Sequence, residues 1–145
     1  MTVRAFWLAL VFTSGSFATA MPNLDGIYTC NNAGEESKIS VRTAGNKVFV
    51  EGLDAGASVV NKGIPCENGS NSGKVQDIGI RTASLCDDQS IGIFVSMIQP
   101  STKTDFLVSV KLTRVSELRL NVAIALAGQM NGEAHNSDLK VTCIK

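Results

Sequence analysis

Apolar and polar residues alternate with a period of two along most of the chain. The clearest case is residues 105–126, where the alternation breaks at Val115 and Ser116 and then resumes. A period of two over such lengths is typical of strands with one buried face, and the short polar break predicts a hairpin. Residues 37–43 and 47–53 predict a second hairpin, which residues 44–46 turn.

Further segments predict strands at residues 26–30, 75–81, 91–98 and 139–144. The run 91–98 is almost continuously apolar, which indicates burial on both faces or a position under a loop. Residues 82–88 are compatible with one helical turn, and no later stretch shows a sustained helical stripe. About eight short strands predict an all-β, single-domain antiparallel β-barrel or β-sandwich.

Polar segments at residues 31–36, 55–74 and 128–138 predict long loops. The second is rich in Gly, Asn and Ser, and it holds too few apolar side chains to form a regular element alone. We therefore expect it to be a mobile excursion. Its Asn68, Gly69 and Ser70 form a glycosylation sequon, which matters only in a eukaryote.

Residues 1–20 have the composition of a secretory signal peptide. Arg4 supplies one positive charge, residues 5–12 are apolar, and Ala18, Thr19 and Ala20 form an A-x-A cleavage site. The apolar run is far shorter than the roughly 20 residues of a membrane span. We expect residues 1–20 to be removed, leaving residues 21–145 as one β domain without a membrane span, secreted or periplasmic.

The charge balance of residues 21–145 is nearly neutral, with 12 basic and 13 acidic side chains once Arg4 is removed. No basic run is present. Because nucleic-acid binding depends on phosphate neutralisation by clustered Lys and Arg, we expect no nucleic-acid partner.

All four cysteines follow residue 20, and an even count in an oxidising compartment predicts two disulfides. Their spacing contains no C-x-x-C pair, which argues against a metal site. A closed barrel or sandwich would bring the first and last strands together and remove two exposed edges. This predicts a Cys30–Cys143 bond that clasps the edges, and it leaves Cys66 to pair with Cys86.

Candidate chemistry is sparse. His135 is the only histidine, and it is flanked by Glu133 and Asp138 in a Gly- and Asn-rich segment that predicts a solvated loop. Asp87 and Asp88 resemble half of a carboxylate site, but adjacent residues of an extended chain point to opposite faces. We expect no catalytic residue, cofactor or metal, and we retain Glu133, His135 and Asp138 as binding-loop candidates.

Two short motifs resemble known families. Gly26 and Tyr28, in the first predicted strand, resemble the entry to calycin barrels such as lipocalins and avidins, although no tryptophan remains after residue 20. Tyr28, Thr29 and Cys30 with Cys143 are similar to periplasmic inhibitors of c-type lysozyme, which are small disulfide-closed barrels. The Ser-Gly loop ending in tyrosine of those inhibitors is missing here, and neither resemblance assigns a family.

The sequence favours an exported, non-catalytic protein that binds an unidentified small ligand or protein partner through its loops. One alternative is a periplasmic or secreted inhibitor that inserts a loop into a hydrolase such as lysozyme. Another is a small hydrolase that uses His135. An apolar cavity would favour a small-ligand carrier, whereas a filled interior with a protruding loop would favour an inhibitor.

Overall fold

The computed structural model describes residues 21–52, 63–67 and 69–145; the predicted signal peptide, residues 53–62 and Asn68 lie outside the described residues. The described chain forms strands and one short 3-10 turn at Pro100–Thr102. The strands are β1 (Gly26–Asn32), β2 (Glu35–Ala44), β3 (Lys47–Glu51), β4 (Ile64–Pro65), β5 (Ser70–Val75), β6 (Ile78–Cys86), β7 (Ser90–Gln99), β8 (Thr104–Ser116), β9 (Arg119–Met130) and β10 (Glu133–Ile144). The predicted all-β class is confirmed.

These strands form one antiparallel sheet in the order β4-β3-β2-β1-β10-β9-β8-β7-β6-β5. The first and last strands lie side by side, as predicted, with Cys30 opposite Cys143. They lie in the middle of the sheet, however, so their pairing does not close its edges. Among the described residues the edges are β4 and β5, and the hydrogen-bonded ladder remains open.

Both predicted disulfides are confirmed. Cys30 and Cys143 are bonded across β1 and β10, 113 residues apart in sequence, and Cys66 is bonded to Cys86. The second bond joins the residue after β4 to the end of β6, which brings the two ends of the strand order together. Ser84 on β6 also contacts β4, because its hydroxyl donates to the Pro65 carbonyl at 2.5 Å. Its N–H donates to the Gly69 carbonyl at 3.1 Å, just before β5. The open sheet is therefore rolled.

Rolling places apolar side chains from both ends of the strand order in one cluster on the inner face of the sheet. The buried members are Leu24, Tyr28, Cys30, Ile39, Val41, Val48, Val50, Ile64, Cys66, Ile91, Ile93, Val110, Leu112, Leu120, Val122 and Cys143. Burial of this apolar surface is the main force that holds the rolled sheet together.

The core occupies only one end of the long strands. Along the inner face of β8, Leu112 is 0% exposed and Val110 is 6% exposed, whereas Val108 and Phe106 are half-buried. Strands β7 to β10 have 10 to 13 residues, but β3 has five and β4 two. The short strands cover one end of the long ones. We call the end with Leu112 the proximal half and the end with Phe106 the distal half.

Two of the predicted loops were wrong. Residues 31–36 and 128–138 belong to hairpins that turn at Ala33–Gly34 and at Asn131–Gly132. Asn131 and Gly132 have φ values of 54° and 81°, which matches the tight turn that an Asn-Gly pair favours. The segments next to these turns are largely exposed on both faces, so they carry polar residues without an apolar alternation, and composition alone suggested loops.

The loop predicted at residues 55–74 was wrong where the structure describes Ser70–Val75, because this segment forms strand β5 and pairs with β6. All its residues are exposed, so pairing across the turn at Gln76 and Asp77 defines this strand. That turn also splits the strand predicted at 75–81. The helical turn that residues 82–88 could have formed is not present, since β6 continues to Cys86. These differences raise the strand count from about eight to ten.

Candidate functional site

A group of half-buried apolar side chains continues the inner face beyond the core. We call this group the inner strip, and its members are Ile78, Ile80, Met97, Phe106, Leu126 and Leu139. Met97 lies directly opposite both Ile80 on β6 and Phe106 on β8. Because residues that face each other in an antiparallel pair point to the same side, these side chains form one surface.

The strip is joined to the core by a row of partly buried side chains that pack against the core cluster: Val95, Val108, Ile124 and Val141. The alternation therefore runs from core to strip without interruption. Along β7, for example, the inner face presents Ile91 and Ile93 in the core, then Val95, then Met97 in the strip. Among the described residues, no second layer of structure covers the strip.

The distal inner face has a size set by sheet geometry. It consists of residues 78–82, 95–99, 104–109, 124–130 and 133–139, on five adjacent strands. With strands about 4.8 Å apart and residues about 3.3 Å apart, this face measures roughly 24 Å by 20 Å, or about 500 Å². Polar residues such as Thr82, Gln99 and Ser137 also lie within it, so its apolar part is smaller than this area. Apolar patches of a few hundred Å² are often functional.

The predicted binding residues lie on β10, not on a loop, and the structure separates them. Glu133 is opposite Met130 and His135 is opposite Gly128, so both side chains belong to the inner face. Asp138 lies on the outer face, because successive residues of a strand point to opposite faces and Asp138 is three positions after His135. All three are exposed, and no described side chain hydrogen-bonds to the His135 ring.

Gly128 shapes the strip beside His135. It lies between Phe106 on β8 and His135 on β10, and its φ of +142° disfavours any residue with a side chain. A Cβ atom there would lie 2.6 Å from the Phe106 Cα, so the position requires glycine. The glycine therefore lets the backbone of β9 approach β8 closely between Phe106 and His135.

The carboxylates at Asp87 and Asp88 do not form a catalytic pair. The Asp87 carboxylate accepts hydrogen bonds from the Gln89 N–H at 2.8 Å and from the Ser90 N–H and hydroxyl at 2.7 and 2.8 Å. These bonds, that from Gln89 first, lower the pKa of Asp87. The carboxylate therefore stabilises the turn between β6 and β7.

A polar cleft of about 220 Å³ lies at the proximal end, but its groups are used structurally. The buried Tyr28 hydroxyl donates to the Leu24 carbonyl at 2.9 Å, and burial raises the pKa of Tyr28. Asp25 accepts from the Thr43 N–H at 2.7 Å, while the Lys145 ammonium donates to the Asp25 carbonyl at 2.8 Å. These contacts hold the segment before β1 in place.

Small-molecule and metal chemistry receives little support from the described residues. A cleft of about 540 Å³ on the outer face, beside Lys74 and Arg81, is open to solvent. No group of His, Cys, Asp and Glu side chains in the described ranges converges as metal ligands would. In the same ranges, no helix has the length and hydrophobicity needed to cross a membrane.

Sequence analysis did not identify the inner strip, because alternation marks the apolar face of a strand without showing how far along the strand that face is covered. A signal was present: the alternation over 105–126 is much longer than that over 37–43 or 47–53, so the shorter strands could not cover all of it. Known proteins supply no further guide, since no protein-family model, curated protein or solved structure matches this chain.

Proposed function

We propose that the protein is an exported, non-catalytic binding protein that holds an extended segment of a partner protein on the inner strip. The observation that carries this proposal is the strip itself: apolar side chains on one face, continuous with the core and covered by no described residue. Contiguous apolar surface left in contact with water is costly, and it commonly marks a site of protein interaction.

The shape of the strip favours a protein over a small molecule. A small-ligand site normally encloses most of the ligand surface, whereas this face is open along its whole width. Its length of about 24 Å across the strands corresponds to about seven residues of extended chain. The alternative of a carrier with an internal cavity loses support, because the interior of the proximal half is filled by the core.

The composition around the strip also fits a protein interface, which has an apolar centre and a polar rim. Thr82 and Ser137 lie beside the strip on the inner face, and Gln99 and Glu133 border its far end. His135 lies opposite Gly128. These groups can hydrogen-bond to the backbone of a bound segment. The scaffold, more than the loops, provides this surface.

The two alternative functions have less support. A loop-inserting hydrolase inhibitor requires a protruding loop, but among the described residues the segments 31–36 and 128–138 are hairpins with two-residue turns, and Ser70–Val75 is a strand. A hydrolase that uses His135 requires a partner that orients the imidazole, and no described residue hydrogen-bonds to that ring. Export is supported by the two disulfides, which persist in oxidising compartments such as the periplasm or the extracellular space.

Selection of peptides with a matched pair of variants tests the proposal. A phage-displayed library of random dodecapeptides is selected on the purified protein, and the recovered peptides are rebound to Phe106→Ser and Leu107→Ser. Phe106 lies in the strip, while its neighbour Leu107 is 44% exposed on the outer face. We expect apolar peptides that lose at least about tenfold in affinity with Phe106→Ser and keep it with Leu107→Ser.

Two results would contradict the proposal. One is the recovery of no apolar peptide, and the other is equal binding of the recovered peptides to both variants. Urea unfolding of each variant, compared with the unsubstituted protein, ensures that lost binding does not reflect lost folding.

A further inference from the structure

The distal part of β10 is an unpaired sheet edge among the described residues. Strand β1 pairs with β10 only at Thr29–Ile144 and Cys30–Cys143, and beyond Cys30 it pairs with β2 alone. Residues 133–141 therefore have β9 on one side and no described strand on the other. We call this segment the free edge. Exposed edges of this kind are templates for pairing with another chain.

Alternate residues of the free edge point their backbone N–H and C=O groups away from β9. The two-residue turn makes Glu133 a hydrogen-bonded partner of Met130, so odd-numbered residues face β9. The Cα atoms of Cys30 and Cys143 are 4.1 Å apart, as in a non-hydrogen-bonded pair. The backbone groups of Cys143 therefore also face β9, in agreement with Glu133. The residues whose groups point outward are Ala134, Asn136, Asp138 and Lys140.

We infer that the free edge pairs antiparallel with the free edge of a second copy of this chain, about a twofold axis at Ser137. In such a ladder, outward-pointing residues must face one another, so even-numbered residues pair with even-numbered residues. Ser137 is the midpoint of residues 133–141, and this register therefore uses the whole free edge. It places Asn136 opposite Asp138 of the second copy, where the amide can donate to the carboxylate.

An axis at any other residue pairs fewer residues of the free edge, because Ser137 is its midpoint. An axis at Asp138 would place two carboxylates directly opposite each other, and an axis at Lys140 would do the same with two ammonium groups. An axis at His135 would leave the end of the free edge near Lys140 unpaired. The Ser137 register has no like charges directly opposite, and by symmetry it forms the Asn136–Asp138 contact twice.

Pairing of two copies would also enlarge the surface on which the proposed function depends. The twofold axis of an antiparallel pair is perpendicular to the sheet, so both inner strips lie side by side on the same face. Together the two distal inner faces span about 1,000 Å², so a bound partner protein could cover more than the roughly 800 Å² that each partner buries in a standard interface, whereas one distal inner face is smaller than that. This argument rests on the proposed function, but self-pairing is measured without any partner, so either proposal can fail alone.

The other edge, β5, provides the matched control. Val75 is opposite Ile78 across a two-residue turn, so the N–H of Ser72 points outward just as that of Asn136 does. Proline at either position removes an outward N–H without breaking the internal ladder, which edge strands tolerate. Only Asn136→Pro affects the free edge.

Sedimentation velocity over a concentration series tests the inference. We expect a monomer–dimer equilibrium, a dissociation constant raised at least about tenfold by Asn136→Pro, and no change with Ser72→Pro. A monomer at every concentration up to about 1 mM would overturn the inference, since even a complex with a millimolar Kd is substantially formed there. Equal weakening by Ser72→Pro would place β5 in the contact and would overturn it as well.

Disulfide trapping keeps the inference testable if Asn136→Pro does not fold. In the Ser137 register the two copies of residue 137 form a non-hydrogen-bonded pair, with Cα atoms about 4.5 Å apart and within disulfide reach. Ser137→Cys should give a covalent dimer under oxidising conditions, whereas Ala134→Cys, which faces Lys140 of the second copy, should not. Peptide mapping confirms that the native disulfides remain. No covalent dimer with Ser137→Cys, or as much with Ala134→Cys, would refute the register.

Discussion

The proximal and distal halves of the sheet share one residue pattern but differ in what covers their inner faces. In the proximal half Leu112 and Leu120 are completely buried, because β1 to β4 roll over them. In the distal half the same strands present Met97 and Phe106 only half-buried. The comparison teaches that alternation identifies the apolar face of a strand, while the length of neighbouring strands decides whether that face becomes core or surface.

Removal of each disulfide is expected to give the largest change in stability. Replacing Cys30 and Cys143 together by alanine should lower the free energy of unfolding by about 5 kcal/mol, because the bond closes a loop of 113 residues. Replacing Cys66 and Cys86 should cost about 3 kcal/mol, since that loop spans 20 residues.

Urea unfolding of both double variants measures the difference. A larger loss of stability from the Cys66–Cys86 pair would contradict the expectation that the Cys30–Cys143 bond contributes more. It would show that the contact between β4 and β6 depends strongly on its disulfide. The unsubstituted protein under reducing conditions serves as the lower reference, because it lacks both bonds.

Replacing one leucine by alanine in each half compares the packing of the two halves directly. Leu112→Ala should cost about 2 to 5 kcal/mol, since it opens a cavity in a fully packed core. Leu126→Ala should cost about 1 kcal/mol or less, because its half-buried side chain packs on one side only. The measurement is the urea midpoint at an unchanged m-value. Equal losses would show that the distal face is covered in solution.

Acid titration gives the smallest expected effect and compares a turn from each half. Hydrogen bonds from Gln89 and Ser90 lower the pKa of the proximal Asp87, and a hydrogen bond from Ser101 lowers that of the distal Asp77. A lowered native pKa means that the stabilisation is complete above the ordinary carboxyl value of about 4 and is lost as the pH falls through the native value.

Asp87→Asn should therefore flatten the decrease in stability below about pH 4, and Asp87→Ala should cost roughly 0.5 to 1.5 kcal/mol at neutral pH. Asp77→Asn should flatten the acid decrease less, because a turn in the half without core contributes less to global unfolding. Urea midpoints between pH 2 and 7 provide the readout. A steeper acid decrease in Asp87→Asn would contradict the assigned hydrogen bonds.

Much of the fold was predictable because its determinants are local. Period-two alternation gave the hairpins of β2–β3 and β8–β9, and the even cysteine count with terminal placement gave Cys30–Cys143 and Cys66–Cys86. Strand β5 and the distal part of β10 were not predictable in the same way. Their residues are exposed on both faces, so a burial pattern cannot mark them, and only backbone pairing with β6 and β9 makes them strands.

The candidate site was predictable only in part. The sequence identified Glu133 and His135 but assigned them to a loop. It placed Met97 and Phe106 in predicted strands without showing which part of each strand would be covered. A side chain's burial depends on which strand lies above it, and that depends on contacts between residues far apart in sequence.

By itself, then, the sequence determined the strand periodicity, the presence of two sulfur bridges and the face on which each apolar residue lies, because each follows from neighbouring residues or from counting. The tertiary structure alone decided that the first and last strands lie in the middle of the sheet and that its edges fall at β4 and β5. It also decided that the inner strip lies beyond the core. The physical reason is strand length: five- and two-residue strands cannot cover partners of 10 to 13 residues.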